Sequence, residues 1–279
     1  MTHTLLLHLA GPLQTWGTRA RFSERDSHTH PTKSGVVGLL AAALGLDRAD
    51  DDGLRPLAAL RYGVRADRPG VLVHDFHTVG GGQYPLRPRD VLTDPTTAKR
   101  ATANLEDPTR RTFGPTAGRT LRDWYGAPKG IAPDADGHLT AANTRRHPLT
   151  ENRWYLADAA FLAGLQTDDH TLLLRLARHL EAPERLLWLG RKDCPPAADL
   201  HHGIHPGDLE TVLAHAAPLP NATTTTPRAW LEVPRDTPGA APVHDQPHSF
   251  KPHDRVHVLR HELAMTLTSA ATAPRPEGT

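Results

Sequence analysis

The sequence is poor in cysteine and in long apolar runs, and each shortage excludes a class of protein. A single cysteine, Cys194, excludes an internal disulfide and is typical of a reducing compartment. No stretch reaches the roughly 18 apolar residues that a membrane-spanning helix requires. The first residues carry no basic region ahead of their apolar run, so we expect no secretory signal and a cytoplasmic protein.

A strong excess of positive charge is also absent. The 32 lysine and arginine residues face 31 acidic residues, and the isoelectric point near 8.1 is below that of a dedicated nucleic-acid-binding domain. Only five of the basic residues are lysine, whereas histidine reaches 19. Because this bias extends along the whole chain, an isolated arginine or histidine carries little weight. The composition neither excludes nor establishes an RNA partner.

The motifs of common enzyme classes are missing as well. The sequence contains no Walker A loop, no HExxH helix, no Gly-x-Ser-x-Gly elbow and no dinucleotide fingerprint. Three histidines, His201, His202 and His205, follow Cys194 without the paired spacing of structural zinc sites. We predict a loop there, with no metal and no other cofactor.

Hydrophobic periodicity predicts two strand–helix–strand units separated by a long irregular segment. We predict strands at 4–10, 60–66, 71–79, 155–161 and 186–190, and helices within 32–45 and 170–182. Gly11 and Pro12 are expected to end the first strand. Gly35 and Gly38 are unfavourable inside a helix, so we expect another part of the chain to approach that face closely. This order is that of the ferredoxin-like α+β fold, which RNA-recognition modules share.

The remaining segments suggest additions to this core. We expect residues 1–195 to form the core with 80–152 as an insertion, then a small β-rich C-terminal appendage at 196–268 and a disordered tail at 269–279. Within the appendage, 229–233 and 256–267 are predicted to pair as an antiparallel ribbon. The stretches 218–228 and 234–254 are typical of linkers.

The insertion is the one strongly basic part of the chain. Seven basic residues face three acidic ones within about thirty positions, namely Lys99, Arg100, Arg110, Arg111, Arg119, Arg122 and Lys129 against Glu106, Asp107 and Asp123. A long irregular segment inside a compact domain is normally functional or disordered. Both a binding element and a solvated arm therefore remain open.

The start of the first helix is a candidate phosphate site. Helix N-termini offer free backbone N–H groups and the positive end of the helix dipole. Thr32, Lys33, Ser34 and Gly35 would form this site, and the Lys33 side chain would add a mobile charge. The alternative is an ordinary capped helix whose glycines let it lie flat on the sheet.

Five motifs in a fixed order carry a family resemblance. They are GPLQTWG at 11–17, PTKSGVVGLLAAALGL at 31–46, DFHTVGGG at 75–82, NRWYLADAAFLAGL at 152–165 and LLWLGRKDCPP at 186–196. Together they resemble the Cas five (Cas5) family of CRISPR proteins in the RAMP superfamily, specifically its type I-E Cascade branch. The resemblance covers 1–83 and 150–200 well and VHVLRHELAM at 256–265 more weakly. Residues 84–148 are longer than the family pattern and do not align with it.

The resemblance implies a non-catalytic RNA-binding subunit on a ferredoxin-like RAMP (RRM-like) fold. Such a subunit binds the 5′ handle of the CRISPR RNA (crRNA) and caps one end of the backbone filament in antiviral defence. The implied partners are crRNA, the backbone subunit CasC and the large subunit CasA, with target DNA nearby and no membrane. In this family a thumb-like extension leaves the sheet between two core strands, and the basic insertion occupies the corresponding place.

Binding one RNA end requires cations for phosphates, exposed amides for a curved backbone and flat side chains for bases. The candidate RNA-binding residues are Trp16, Arg19, Arg21, Thr32, Lys33, Ser34, Gly35, His77, Gly80, Gly81, Arg153, Arg191 and Lys192. The alternatives are a core position for Trp16 and an ordinary mobile turn at 80–82. We expect that changing Lys33 and Arg191 to alanine weakens RNA retention and leaves the fold intact.

Two other functions remain open at this stage. Relatives in the type I-C branch cut precursor RNA, and such cleavage needs a general base and a general acid. The chain offers His28, His30, His77, Tyr84 and Lys129 for these roles, although a histidine-rich sequence places some of them together by chance. The third reading is a component that bridges other proteins and contacts RNA little.

Overall fold

The computed structural model describes residues 1–17, 20–21, 24–79, 131–133, 139–141, 149–252 and 254–267. The chain divides into two compact units, residues 1–75 with 152–279, and residues 76–151. Arg19, Gly80 and Gly81, most of the predicted insertion and the predicted tail at 269–279 lie outside the described residues.

The first unit holds nearly all of the described secondary structure. Its helices are α1 (Lys33–Ala43), α2 (Asp51–Ala58), α3 (His170–Glu181) and α4 (Leu209–His215). The strands of the chain are β1 (His3–Gln14), β2 (Ala20–Arg21), β3 (Glu24–Arg25), β4 (Arg61–Arg68), β5 (Val71–Val79), β6 (Ile131–Pro133), β7 (Leu139–Ala141), β8 (Leu149–Thr167), β9 (His201–Pro206), β10 (Arg228–Glu232), β11 (Ala241–Lys251) and β12 (Asp254–Thr266). In the second unit, β6 and β7 pair antiparallel with each other.

A largely antiparallel sheet organises the first unit. Its strands follow the order β11-β12-β10-β4-β8-β1-β9, and β3 adds a short parallel pairing with β8. Leu5, Leu7 and Leu9 of β1 face one hydrophobic cluster, which α1, α2 and α3 cover, while Leu6 faces a second cluster under α4. The fold is therefore mixed α/β with apolar side chains buried on both faces of the sheet, as the leucine run of β1 predicts.

Capping residues and one close approach fix the position of α1. Thr32 caps the helix, and its Oγ1 accepts a hydrogen bond from the Gly35 amide at 3.3 Å. A Cβ atom at Gly35 would lie 2.8 Å from the Trp16 ring, so only glycine fits there. A Cβ at Gly38 would be 3.9 Å from Phe250, which is an ordinary contact. The expected close approach therefore holds for Gly35 and fails for Gly38.

Two strand predictions near the motifs are wrong. β1 continues through Gly11 and Pro12 to Gln14, because this stretch keeps its pairing with β8. Residues 186–190 form no strand: Leu189 is buried, but its backbone bonds to Thr15 and Cys194 outside any ladder. The strand beside β1 is instead β9, in the histidine segment that we predicted as a loop. A short extended segment and an edge strand have similar sequence patterns, so pairing alone separates them.

The C-terminal strands extend the main sheet. The predicted ribbon forms, since β10 pairs antiparallel with β12 from Arg228–Thr266 to Glu232–Glu262. The stretch predicted as a linker contains β11, and neither α2 nor α4 was predicted. Because β10 also pairs with β4, this segment belongs to the same sheet and is not a separate appendage. In the described ranges, no helix is both long and apolar enough to span a membrane.

Candidate nucleic-acid interface

A cleft of about 290 Å³ opens where the end of β1 meets the start of α1. Its other walls come from the loop after α3 and from the β11–β12 ribbon. Five of the residues predicted from the sequence line it, namely Trp16, Thr32, Ser34, Gly35 and Arg191. The fold thus brings together residues that are up to 175 positions apart, counting from Trp16 to Arg191.

The predicted phosphate site at the start of α1 is already occupied by a protein carboxylate. The Lys33 amide donates to Asp245 Oδ2 at 2.7 Å, and the Gly35 amide donates to Thr32 Oγ1. Asp245 comes from β11 and places its negative charge at the positive end of the helix dipole. The expectation that these amides hold an RNA phosphate is therefore wrong for Lys33, because an internal anion satisfies its N–H group.

The Lys33 side chain is part of the core and is not a mobile surface charge. It is 1% exposed, and its Nζ donates to both carboxylate oxygens of Glu232, at 2.8 and 3.1 Å. Burial lowers the pKa of Lys33, although the Glu232 carboxylate opposes that shift. The expectation that a Lys33 substitution leaves the fold intact is corrected accordingly, since it would leave Glu232 without its cation.

Trp16 is also a core residue. Its side chain is 1% exposed, its Nε1 donates to Gln14 Oε1 at 3.0 Å, and its ring packs on Gly35. A nucleotide base cannot stack on the Trp16 ring, because protein atoms already cover nearly all of its surface. The base-stacking role predicted for Trp16 is therefore wrong, and the alternative of a core position is correct.

A buried network of charges links α1 to the C-terminal strands. Arg260 donates to Asp245 Oδ1 at 2.5 Å and Oδ2 at 3.0 Å, and to Glu262 Oε2 at 2.8 Å. His30 Nε2 lies 3.3 Å from Glu262 Oε1, and its ring stacks on Trp230. Burial alone would lower the pKa of Arg260, but the hydrogen bonds and charge of Asp245 raise it. We call Lys33, Glu232, Asp245, Arg260, Glu262 and His30 the buried charge network.

Arg191 keeps a positive charge in the cleft wall but is held in place by the protein. Its guanidinium donates to the carbonyl oxygens of Trp154 at 3.2 Å, Arg25 at 3.0 Å and Asp26 at 3.4 Å. The same group lies 5.0 Å above the Tyr155 ring. Within the described residues it meets no carboxylate within 4 Å, so its charge remains available to a bound anion.

The other predicted basic residues differ in their surroundings. Lys192 is exposed next to Arg191. Arg153 is half-buried and lies 3.8 Å from Asp193 Oδ2, which also accepts a hydrogen bond from Tyr155 at 2.6 Å. Arg21 belongs to β2, but its side chain is among those that the structure does not describe. In the second unit, His77 is half-buried on β5.

Comparison with known proteins identifies the family. The sequence matches the family described as "CRISPR-associated protein (Cas_Cas5)" over residues 4–261, which is most of the chain. The chain belongs to the Cas5 family. It is 26% identical over 206 residues to "CRISPR system Cascade subunit CasD" of Escherichia coli (strain K12), an alignment that covers 70% of this chain and 68% of the relative.

Two solved structures resemble this Cas5-family chain along nearly its whole length. One is described as "Crystal structure of Cas protein", with 29% identity, a TM-score of 0.60, and coverage of 98% of this chain and 100% of the other. The second is described as "CRISPR RNA-guided surveillance complex", with 27% identity, a TM-score of 0.61, and coverage of 95% and 90%. The ordered motifs found in the sequence therefore reflect a shared fold as well as local similarity.

Sequence reasoning missed the residues of the cleft that come from the β11–β12 ribbon. His244 comes from β11, and Arg255 and His257 come from β12. Arg255 is exposed and, within the described ranges, has no carboxylate within 4 Å. Partial desolvation of its guanidinium, followed by the charge of Arg48, lowers the pKa of Arg255. The strand predicted at 256–267 does not include Arg255, and only the tertiary fold shows which residues of β12 reach the cleft.

Cys194 and the neighbouring histidines of this Cas5-family chain do not converge on one point. Cys194 is buried, and burial together with the charge of Asp193 raises the pKa of its thiol to about 11. His201 instead pairs with Glu181 at 2.8 Å. In the part of the chain that the structure describes, no group of three or more His, Cys, Asp or Glu side chains is arranged to hold a metal ion.

Proposed function

We propose that this protein is a non-catalytic, RNA-binding subunit of a type I-E CRISPR surveillance complex. The observation that carries this proposal is family membership over most of the chain, together with the similarity to a protein named as the Cascade subunit CasD. The similarity to the solved structure described as "CRISPR RNA-guided surveillance complex" supports the same assembly. In this proposal the chain binds the 5′ handle of crRNA and caps the backbone filament, next to CasC and CasA and near target DNA.

The strand order supports a ferredoxin-like RAMP core for this subunit. In chain order the four strands of this core are β1, β4, β8 and β9, and they lie in the order β9-β1-β8-β4 at one end of the sheet. The chain passes through α1 and α2 between β1 and β4, and through α3 between β8 and β9. This is the connectivity of the split βαβ motif, which many RNA-binding modules use.

The basic rim of the cleft supports RNA binding at this end of the sheet. Arg191 and Lys192 follow each other in the loop after α3, and Arg255 approaches from β12. In the described residues none of these three cations is paired with a carboxylate within 4 Å. Lys33 and Arg260, by contrast, form ion pairs with Glu232 and Asp245 inside the buried charge network. We also assign Arg153, Arg21, His77 and the glycines at 80–81 to the RNA surface.

Two of the three histidines considered for cleavage, His28 and His30, do not favour the endoribonuclease alternative. His30 is 4% exposed, pairs with Glu262 and stacks on Trp230, so it is tied to the core. His28 packs edge-on against His30 at 5.1 Å, and burial lowers its pKa. Tyr84 and Lys129 lie outside the described residues.

A cleavage assay separates the two functions. Purified protein incubated with labelled CRISPR repeat RNA in EDTA is expected to yield no discrete product, because a structural subunit lacks a positioned acid–base pair. The same RNA must be bound, as a mobility shift under identical conditions would show. A discrete product that persists in EDTA would establish the metal-independent nuclease instead.

Lys192 allows a second test in the assembled complex. Lys192→Ala is expected to weaken RNA binding about two- to fivefold and to reduce the slope of log affinity against log salt by about 0.7, as for one lost phosphate contact. Lys251→Ala is the matched control, because Lys251 is also exposed but is paired with Asp51. Equal effects of the two variants, or an affinity independent of salt, would favour a protein-bridging component.

A further inference from the structure

The cleft at the start of α1 has a net positive lining. It contains three arginines, Arg25, Arg191 and Arg255, against two carboxylates, Asp26 and Asp245. The negative charge of Asp245 does not cancel that of the three arginines, because Asp245 is already paired with Arg260 and also accepts a hydrogen bond from the Lys33 amide. An anion that enters the cleft therefore meets more positive than negative charge.

The β12 wall contributes one cation without a carboxylate neighbour in the described residues and one buried imidazole nitrogen without a partner. The Arg255 guanidinium lies 5.2 Å above the Phe250 ring and, in the described ranges, contacts no carboxylate. The His257 Nε2 atom is buried and has no hydrogen-bond partner in that same part of the chain. Both residues line the cleft, where a bound oxyanion would accept hydrogen bonds from the Arg255 guanidinium and would supply the partner that the His257 Nε2 atom lacks.

The size of the cleft restricts what it can hold. Its volume of about 290 Å³ is close to the lower limit of the range of roughly 300–1,000 Å³ that is typical of small-molecule sites. A base-paired segment does not fit into such a space, whereas one unstacked nucleotide with its phosphate does. Gly190, with φ of +99°, gives one wall its shape, because a Cβ there would overlap the Thr15 carbonyl oxygen.

We propose that this cleft binds one nucleotide of single-stranded RNA, with Arg255 and His257 contacting its phosphodiester group and Arg191 holding the opposite wall. This inference rests on the proposed function and names the site through which the RNA is held. It places the phosphate contacts on the β11–β12 ribbon, which joins the rest of the sheet through β10.

The site should also respond to pH. His257 is faced by Arg255 on its own strand and by His244 and Asp245 of β11, and it packs edge-on against Phe250. Burial, followed by the charges of Arg255 and His244, lowers the pKa of His257, and the charge of Asp245 opposes this shift. A bound phosphate favours the protonated ring, so RNA affinity should increase as the pH falls.

The test uses the full chain and a fluorescent single-stranded RNA of the repeat sequence. Arg255→Gln is expected to weaken binding by about tenfold and to reduce the salt slope by about 0.7, because a charged hydrogen bond and one counterion release are lost. Arg175→Gln is the matched control, because Arg175 is an exposed arginine of α3 outside the cleft. Circular dichroism melting curves establish that each variant is folded.

A pH series provides the second variant. Wild-type affinity should increase as the pH falls from about 7 to about 5, because the pKa of the free His257 ring is lowered, and His257→Gln should remove most of that increase. Adenosine monophosphate and inorganic phosphate serve as competitors: displacement by the nucleotide at lower concentration than by phosphate supports a nucleotide site. If both competitors displace the RNA at the same concentration, the cleft binds anions without recognising a nucleotide, which contradicts the nucleotide assignment.

The outcomes distinguish this inference from the proposed function. If the wild-type chain binds the RNA but Arg255→Gln and Arg175→Gln behave alike, the cleft assignment is wrong and the proposed function stands. If the wild-type chain binds no RNA at any salt concentration, the result contradicts both the cleft assignment and the proposed function.

Discussion

Arg260→Ala is expected to lower the free energy of unfolding by about 3–5 kcal/mol, because it leaves two buried carboxylates without their cation. Asp245 and Glu262 are 2% and 7% exposed, and Arg260 donates hydrogen bonds to both. Native domains have total stabilities of only about 5–15 kcal/mol, so this one change removes a large fraction. Urea denaturation followed by circular dichroism measures the loss.

The control for Arg260→Ala is Arg175→Ala on α3. Arg175 is exposed, and a surface substitution of this kind normally changes stability by less than about 0.5 kcal/mol. A loss of less than about 1 kcal/mol for Arg260→Ala would show that the buried charge network does not hold the C-terminal ribbon on α1.

The effect of Arg260→Ala should depend on pH. Burial disfavours the ionised form of Glu262, but its hydrogen bond to His30 and the charge of Arg260 keep its pKa below the usual 4.5. A lowered carboxyl pKa stabilises the folded state above the unfolded pKa, and this contribution is lost as the pH falls through the folded pKa. The difference between wild type and variant should therefore be largest near neutral pH and narrow below about pH 4.5.

Arg65→Ala is expected to cost a similar amount, about 3–5 kcal/mol, on the opposite face of the sheet. Arg65 and Asp67 are both 1% exposed and form a two-point ion pair with distances of 2.6 and 2.8 Å. The guanidinium also donates to the carbonyl oxygens of Leu213, Ala216 and Ala217 at the end of α4. Its removal would leave the buried Asp67 carboxylate without its cation, although the Leu219 amide would still donate to it, and would deprive the last carbonyls of the helix of this donor.

Arg61→Ala is the matched control for Arg65→Ala. Arg61 lies four residues earlier on the same face of β4 and also pairs with α4, through Glu210, but both side chains are about one-third exposed. Solvent screens such a pair, so its loss should cost about 1 kcal/mol or less. Equal losses from the two variants, measured by chemical denaturation, would contradict the distinction between a buried and an exposed pair.

Lys33 and Lys192 show why the RNA-binding residues predicted from the sequence include some that belong to the core. Both lysines lie in motifs of the Cas5 family, and sequence alone assigns both to RNA. Lys33 is 1% exposed because β10 brings Glu232 next to it from 199 positions away. Lys192 is exposed because its loop faces outward. A substitution at Lys33 therefore reports on folding, and a substitution at Lys192 reports on binding.

The helices α1 and α3 and the strands β1 and β4 could be predicted from local patterns, whereas α2 and α4 were missed. Thr32 and Gly35 mark the start of α1, and the alternation of Tyr62, Val64 and Ala66 marks β4, because capping and burial act on neighbouring residues. β9 and β11 could not be predicted in this way. Their sequences are rich in histidine and proline, and only pairing with β1 and β12 makes them strands.

The sequence by itself determined the family, the central strand–helix order and the place where β1 meets α1, because ordered motifs, caps and apolar periodicity are local properties. The tertiary structure alone decided which charges are available. It buried Lys33 and Trp16, brought Asp245 to the helix amides, and placed Arg255 at the cleft. The reason is that an ionic group's role depends on its partners and its exposure, and both are set by strand pairing between residues some 200 positions apart.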